Sequence, residues 1–463
     1  MLVTLNIQGH GSFAPLAPPC CPDGRTLPWY QGCISAADLS EIPVGTSSTG
    51  RYVGAQATSS LFATAQSLHL VSNESIPAGQ DLATRAQRVA AVAAEHAHVV
   101  DRESRFPSEA INAARAEGLL GAAVPQEFGG EDAGVRDIVD VCYVLGRACS
   151  SSAMIFAMHQ ACVACVVRHG HASAWHRSLM HRLHREQMLL ASSTTEGNRG
   201  GDVRASAAAI ETRDTRIALD RMATVISYGE AADAIVTTAR RSADAASADQ
   251  VLAVFLKRDY SLERLISWDA LGMRGTCSDG FRLVASGEDE QILPSPYGEI
   301  HARTMVPITH LTWSAVWAGI AAAAVDRARA FVRKAAHQAD GRMPPGAVHL
   351  TRASASLRML RSVIADASRR FEATVGDPVA LESIDFQTGM NLLKVNTSEL
   401  AVAIVMNAMQ ACGLSGYRNT GEFSLGRHLR DILSSPIMIS NDRIIANVGA
   451  ASLLSSPPMS LSD

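Results

Sequence analysis

The feature that most restricts the fold is a double switch in hydrophobic period along the chain. From about Asp81 to Arg168 apolar residues recur at helical spacing, after Leu190 they fall into short β-type runs bounded by turn residues, and from about Ile308 long helical text returns. Helices are expected from near Asp81 through Leu82, Val89, Val92 and Ala93, then over Ser108–Leu120, Val135–Cys149 and Ser152–Arg168. The β-type runs are Ile217–Leu219, Thr224–Ser227, Ala234–Thr238, Val251–Leu256 and Phe281–Val284. Three long helices should follow over Trp313–His337, Thr351–Thr374 and Glu382–Cys412. In the second, Leu357, Leu360, Ile364, Ala367 and Phe371 form one stripe while Arg358, Arg361, Arg369 and Arg370 face elsewhere, the pattern of a bundle core. The expected class is α+β, mainly α, with an N-terminal α-helical domain over 81–189, a middle β domain over 190–306 and a helical domain over 307–463. Residues 1–80, rich in Ser, Thr, Pro and Gly and crowded with Pro15, Pro18, Pro19 and Pro22, are expected to be a disordered or irregular leader.

Charge narrows the partners. Lys+Arg total 41 against Asp+Glu 45 with no basic block, so neither nucleic acid nor a membrane surface has an electrostatic footprint, and small molecules are the expected ligands. Nine scattered cysteines suit a reduced, cytoplasmic protein. Cys162 and Cys165 form a CxxC inside the apolar run Ala153–Val167, without a turn or a second pair, which predicts a core helix and no metal. That run, broken by His159 and Gln160, is read as too short for a membrane span.

The loop Ser192-Ser193-Thr194-Thr195-Glu196-Gly197-Asn198-Arg199-Gly200-Gly201-Asp202 follows the apolar run Met188–Ala191, as if a strand ended in a ligand-facing turn. Its glycines permit close backbone approach to a flat or anionic ligand, and Thr194 and Thr195 add hydroxyl and N–H donors. It sits at the seam between the helical and β parts, where ligands commonly bind.

Six segments in order resemble the acyl-CoA dehydrogenase family of flavoproteins. They are Asp101 with Phe106-Pro107, Gly118-Leu119 and Val124-Pro125 to Gly129-Gly130; Thr195-Glu196 with Asp202; Ile226-Ser227 with Gly229; Leu271-Gly272-Met273-Arg274-Gly275-Thr276; Gln410, Gly413, Gly416 and Tyr417; and Arg427 with Arg430-Asp431. Departures include Gly197 for a Pro, Gly201 for a Ser, Val225 for an aromatic and Leu414 for a Gly. The resemblance implies a helical domain, a middle β-barrel-like domain and a C-terminal four-helix bundle, assembled as a homotetramer or homodimer. It implies FAD held by Thr194, Thr195, Gly200, Gly201 and Ser227, with Arg342 at the phosphates and Gln410 and Gly413 reaching a neighbouring subunit. Arg274 and Asp202 would face the substrate, an acyl thioester on CoA or a carrier protein, and an electron-transfer flavoprotein is a possible acceptor.

Desaturating a thioester requires a carboxylate that removes the α-proton. The family's usual position for it falls on Ile439, and the alternative position, near Trp313, also lacks one. Three readings stay open: a dehydrogenase that recruits another acid, with Asp442 the nearest candidate although it also suits capping a helix from Arg443; a flavin-dependent monooxygenase, with His159 or His428 beside the flavin; and an FAD- or thioester-binding protein without turnover. α,β-Desaturation with hydride transfer to flavin N5 is the favoured expectation, because the loop, Arg274 and the bundle motifs stay close to that branch.

Overall fold

The computed structural model describes residues 81–196 and 204–453, so the leader 1–80 and Gly200, Gly201 and Asp202 lie outside the described residues. Asp81 caps α1 (Leu82–Glu103) by accepting the Thr84 N–H at 2.9 Å. Helices α2 (Ser108–Ala116), α3 (Val135–Ala148), α4 (Ser150–His169) and α5 (Ala174–Arg185) follow. α4 is buried almost all round, which explains its nearly continuous apolar text.

The chain then enters two sheets. β1 (Leu190–Ser193), β4 (Ala234–Arg240) and β5 (Gln250–Leu256) form one of them, with β1 parallel to β4. β2 (Glu211–Arg213), β3 (Arg216–Ser227), β7 (Ser278–Glu288) and β6 (Tyr260–Ile266) form an antiparallel sheet in the order β2-β3-β7-β6. β4 and β5 are buried on both faces, whereas β3 and β7 alternate for much of their length between core and solvent. The expectation of a barrel-like β domain is corrected here. The strands make two separate open sheets, because each finds its hydrogen-bond partners within its own sheet and the buried one is covered by side chains of α4 and α5.

After the one-turn α6 (Tyr297–Ile300), a π-turn over His301–Met305 leads into α7 (Val306–Gln338). α8 (Ala347–Thr374), the short α9 (Pro378–Leu381) and α10 (Ile384–Cys412) complete the long-helix region. Short α11 (Leu414–Tyr417), α12 (Gly426–Ile432) and α13 (Asn441–Ser452) end the described chain. α7 crosses α3 at backbone contact: a Cβ on Gly319 would stand 2.5 Å from the Tyr143 carbonyl oxygen, so the crossing requires glycine. In α8 the stripe residues Leu360, Ile364 and Phe371 are buried, and all four arginines are exposed, as their spacing implied.

Three helical segments, Ser150–His169, Tyr297–Gln338 and Ile384–Cys412, are long and apolar enough to cross a membrane, contrary to the reading of the sequence. Their most apolar stretches are 83%, 89% and 56% buried inside the protein, so the same composition serves bundle packing.

Candidate functional site

A cavity of 290 Å³ opens where α4, β1, the β3–β7 sheet and α7 meet. β3 and β7 pair with a one-residue bulge between Ala223 and Ile226, and such a bulge re-aims the side chains that follow it. Val225 and Ser227 both line the cavity. β1 delivers Ser192, then Thr194 and Thr195, to the same wall. On the helical side His301, Met305, Val306, Thr309, His310 and Trp313 recur at intervals of one to four residues along one face. The π-turn helps to bring His301 and Met305 onto it.

Among the described residues lining this cavity there is no Asp, Glu, Lys or Arg. His310 is buried, and its Nδ1 lies 3.0 Å from the Met390 carbonyl oxygen, a contact that only an Nδ1–H makes. The neutral ring therefore carries its lone pair on Nε2. Burial holds the ring's pKa down to about 4, and the charges of Lys394 and His301 act in the same direction. Burial likewise pushes the Cys162 thiol up to about 12, so it stays protonated.

Three parts of the chain latch one wall of the cavity. Asp431 of α12, fully buried, accepts the Met273 N–H at 2.7 Å, and Arg430 donates to Leu271 O at 2.9 Å and to Asp101 Oδ1 at 2.9 Å. Arg274 Nε donates to the Asp101 carbonyl oxygen at 2.8 Å. A Cβ at Gly272 would lie 2.1 Å from the Arg430 carbonyl oxygen, so glycine is required there. On the other side Lys394 Nζ donates to Asn441 Oδ1 at 2.6 Å and fastens the turn that carries Ile439, whose φ is +47°.

Of the residues singled out in the sequence, Thr194, Thr195 and Ser227 meet in the cavity, and Ile439 and Trp313 line it too. Arg274 does not: its side chain is turned to Asp101. Arg342, Gln410 and Gly413 are exposed and stand outside this cavity within the single chain. Asp442 is corrected as a base candidate, because it is exposed in the first turn of α13 and absent from the lining. His159 is also corrected: Nδ1 accepts the Leu190 N–H at 3.0 Å and Nε2 lies 2.9 Å from Leu120 O, which makes it a satisfied core histidine joining α4 to β1. His428 is buried away from the lining. The histidines that do reach the cavity, His301 and His310, were missed. The available signal was their spacing on one helical face with Met305 and Trp313.

The sequence matches two family descriptions, "Acyl-CoA dehydrogenase, N-terminal domain" over residues 80–181 and "Acyl-CoA dehydrogenase, C-terminal domain" over residues 302–454. It is 25% identical over 378 residues to the amino sugar nitrososynthase DnmZ of Streptomyces peucetius, covering 78% of this chain and 90% of that one. It is 24% identical over 363 residues to cyclohex-1-ene-1-carbonyl-CoA dehydrogenase of Geobacter metallireducens, covering 77% and 92%. The fold is similar to that of FMN-bound TdsC, a dibenzothiophene monooxygenase of Paenibacillus sp. A11-2, with a TM-score of 0.72 and 19% identity over 81% of this chain and 98% of that one.

Proposed function

The chain belongs to the acyl-CoA dehydrogenase family, and from that premise we propose that it is a flavin-dependent monooxygenase acting on a neutral nitrogen or sulfur nucleophile. The observation that carries this reading is the cavity lining, which holds no carboxylate among the described residues. Removing a thioester α-proton needs a base at that place. The two positions where the family would supply it, Ile439 and Trp313, face the cavity with apolar side chains. Relatives that carry out nitrososynthase and monooxygenase chemistry on this fold support the same reading.

A flat heteroaromatic ring suits the lining. Hydroxyls of Thr194, Thr195 and Ser227 line the cavity, together with Trp268, Met154 and Met158. These residues would hold FAD, tuning it by hydrogen bonds to its polar edge. Reduced flavin, when bound, supplies two electrons to O2, so that one oxygen atom reaches the substrate and the other leaves as water. His310 accepts an N–H or O–H of the substrate through Nε2 and orients it. The apolar residues exclude water from the reacting atoms. Gln410 and Gly413, exposed at the end of α10, suit contact with the flavin of a neighbouring copy in a homotetramer or homodimer. In this reading a flavin reductase takes the place of an electron-transfer flavoprotein.

The test uses purified protein loaded with FAD or FMN. The expected result is ¹⁸O transfer from ¹⁸O₂ to an amine or thioether when reduced flavin is supplied. Anaerobic bleaching of the bound flavin by an acyl-CoA, with no other reductant, would establish α,β-desaturation instead. Failure to bind either flavin would end the flavin reading altogether.

A further inference from the structure

Three hydroxyls in the cavity wall form a chain. Thr276 Oγ1 lies 2.8 Å from Ser278 Oγ, and Ser278 Oγ lies 2.7 Å from Ser227 Oγ. The chain is anchored by strand pairing, since Ser227 and Ser278 are cross-strand partners of β3 and β7. At its far end Thr276 Oγ1 reaches the Met273 carbonyl oxygen at 2.8 Å. Thr276 and Ser278 are 3% and 7% exposed, so water does not replace a missing partner.

Each hydroxyl has one proton, so the sense of the chain is collective. When Thr276 donates to Met273, Ser278 donates to Thr276 and Ser227 to Ser278, and Ser227 then offers the ligand only lone pairs. In the opposite sense Thr276 donates to Ser278, Ser278 to Ser227, and Ser227 donates its proton to the ligand. The Met273 carbonyl decides how easily the chain reverses. It already accepts the Trp268 Nε1–H at 3.1 Å and the Thr276 N–H at 3.1 Å, which occupy its two lone pairs. The Thr276 hydroxyl is a third donor, and its departure leaves no buried acceptor unsatisfied. Reversal makes and breaks no covalent bond, because three hydroxyl torsions rotate in concert.

We propose that Thr276, Ser278 and Ser227 form a reversible hydrogen-bond relay that presents Ser227 as a donor to oxidised flavin and as an acceptor to reduced flavin. The inference rests on the flavin reading above. Flavin suits such a relay because its N5 accepts a hydrogen bond when oxidised and becomes an N–H donor on two-electron reduction. Thr276 and Ser278 are thus positioning residues acting through Ser227.

The experiment is a spectroelectrochemical titration of the FAD-loaded protein, with Kd measured for oxidised and reduced FAD. Thr276→Val removes the end of the relay and leaves Ser278 with Ser227 as its acceptor, so Ser227 is held as a donor. Preference for oxidised over reduced FAD should rise about tenfold, a fall of about 30 mV in the two-electron potential. Thr276→Ser should restore the wild-type value. Ser278→Ala frees Ser227 to turn either way, and its potential and that of the double variant Thr276→Val/Ser278→Ala should both stay at the wild-type value. If the valine disturbs folding, Thr276→Ala is measured in its place. Bound FAD with an unchanged potential in Thr276→Val or its stand-in Thr276→Ala, or an equal fall with Ser278→Ala, overturns the relay alone. Wild-type protein that binds no flavin overturns the flavin reading and the relay together.

Discussion

Asp431 accepts the backbone N–H of Met273 at 2.7 Å across a separation of 158 residues, and so ties α12 to the wall of the cavity. Both groups are buried, and Met273 is held at a φ of +52°. The neighbouring Gly272 passes so close to Arg430 that a Cβ has no room. Gly272→Ala should therefore destabilise the protein by about 2–3 kcal/mol through overpacking, read from the urea midpoint. An unchanged midpoint would mean that this contact is not close in solution.

Glu196, just past β1, holds the segment that enters β2. It accepts the N–H of Ala207 at 2.5 Å and of Ala208 at 3.3 Å, and it stands 3.5 Å from buried Arg221. The contact is made by Arg221 Nη1, which also donates to Thr238 Oγ1 at 3.0 Å, while Nε and Nη2 have no hydrogen-bond partner among the described residues. Glu196→Ala removes the counter-charge and should cost about 3–5 kcal/mol. Double replacement with Arg221→Met should cost less than the single change. Thermal unfolding of the three proteins checks this ordering.

Histidine burial predicts acid sensitivity. Burial lowers the pKa of His159 and His310 from 6.5 to about 4. As pH falls below 6.5 the unfolded rings take up protons before the folded ones do. Stability is thus complete above about pH 6.5 and is lost toward pH 4, by up to about 1.4 kcal/mol per unit for each ring. Urea midpoints at pH 7.5 and 5.5 should differ accordingly. Equal midpoints would contradict neutral burial.

His310 carries the proposed substrate contact. His310→Phe should lower kcat/KM for oxygenation by about tenfold, the worth of one hydrogen bond, while FAD affinity stays within about threefold of wild type on the same scale. A fall in flavin affinity with unchanged turnover would assign the ring to the cofactor instead.

Ile439 occupies the place of the family's carboxylate and already lines the cavity. Ile439→Glu is expected to let acyl-CoA bleach the bound flavin anaerobically, where the natural chain does not. An inert variant would show that more than the base separates this chain from thioester desaturation.

Much of the fold was legible because hydrophobic period is local. Helices α1 to α4 and the strands around 217–227, 234–240 and 250–256 form where their text placed them, and the stripe on α8 buries the side its spacing indicated, whereas α5 was not anticipated. β6 escaped notice because Tyr260–Ile266 is charged and mostly exposed, held by pairing to β7 rather than by an apolar face. Helices that bury nearly every side, such as α4 and much of α7, mimic membrane spans for the same reason of composition.

By itself the sequence determined the order of helical, sheet and helical parts, the family likeness, the Thr194–Thr195 and Ser227 wall, and the absence of an acid at position 439. The order of parts follows from residue type and short-range spacing, and the remainder from short motifs that resemble the family's. Tertiary structure alone decided which histidines reach the cavity, that Asp442 does not, and that Thr276, Ser278 and Ser227 touch. Such facts depend on rotation about helix axes and on strand register between segments far apart in the chain, and neither is encoded in any single stretch.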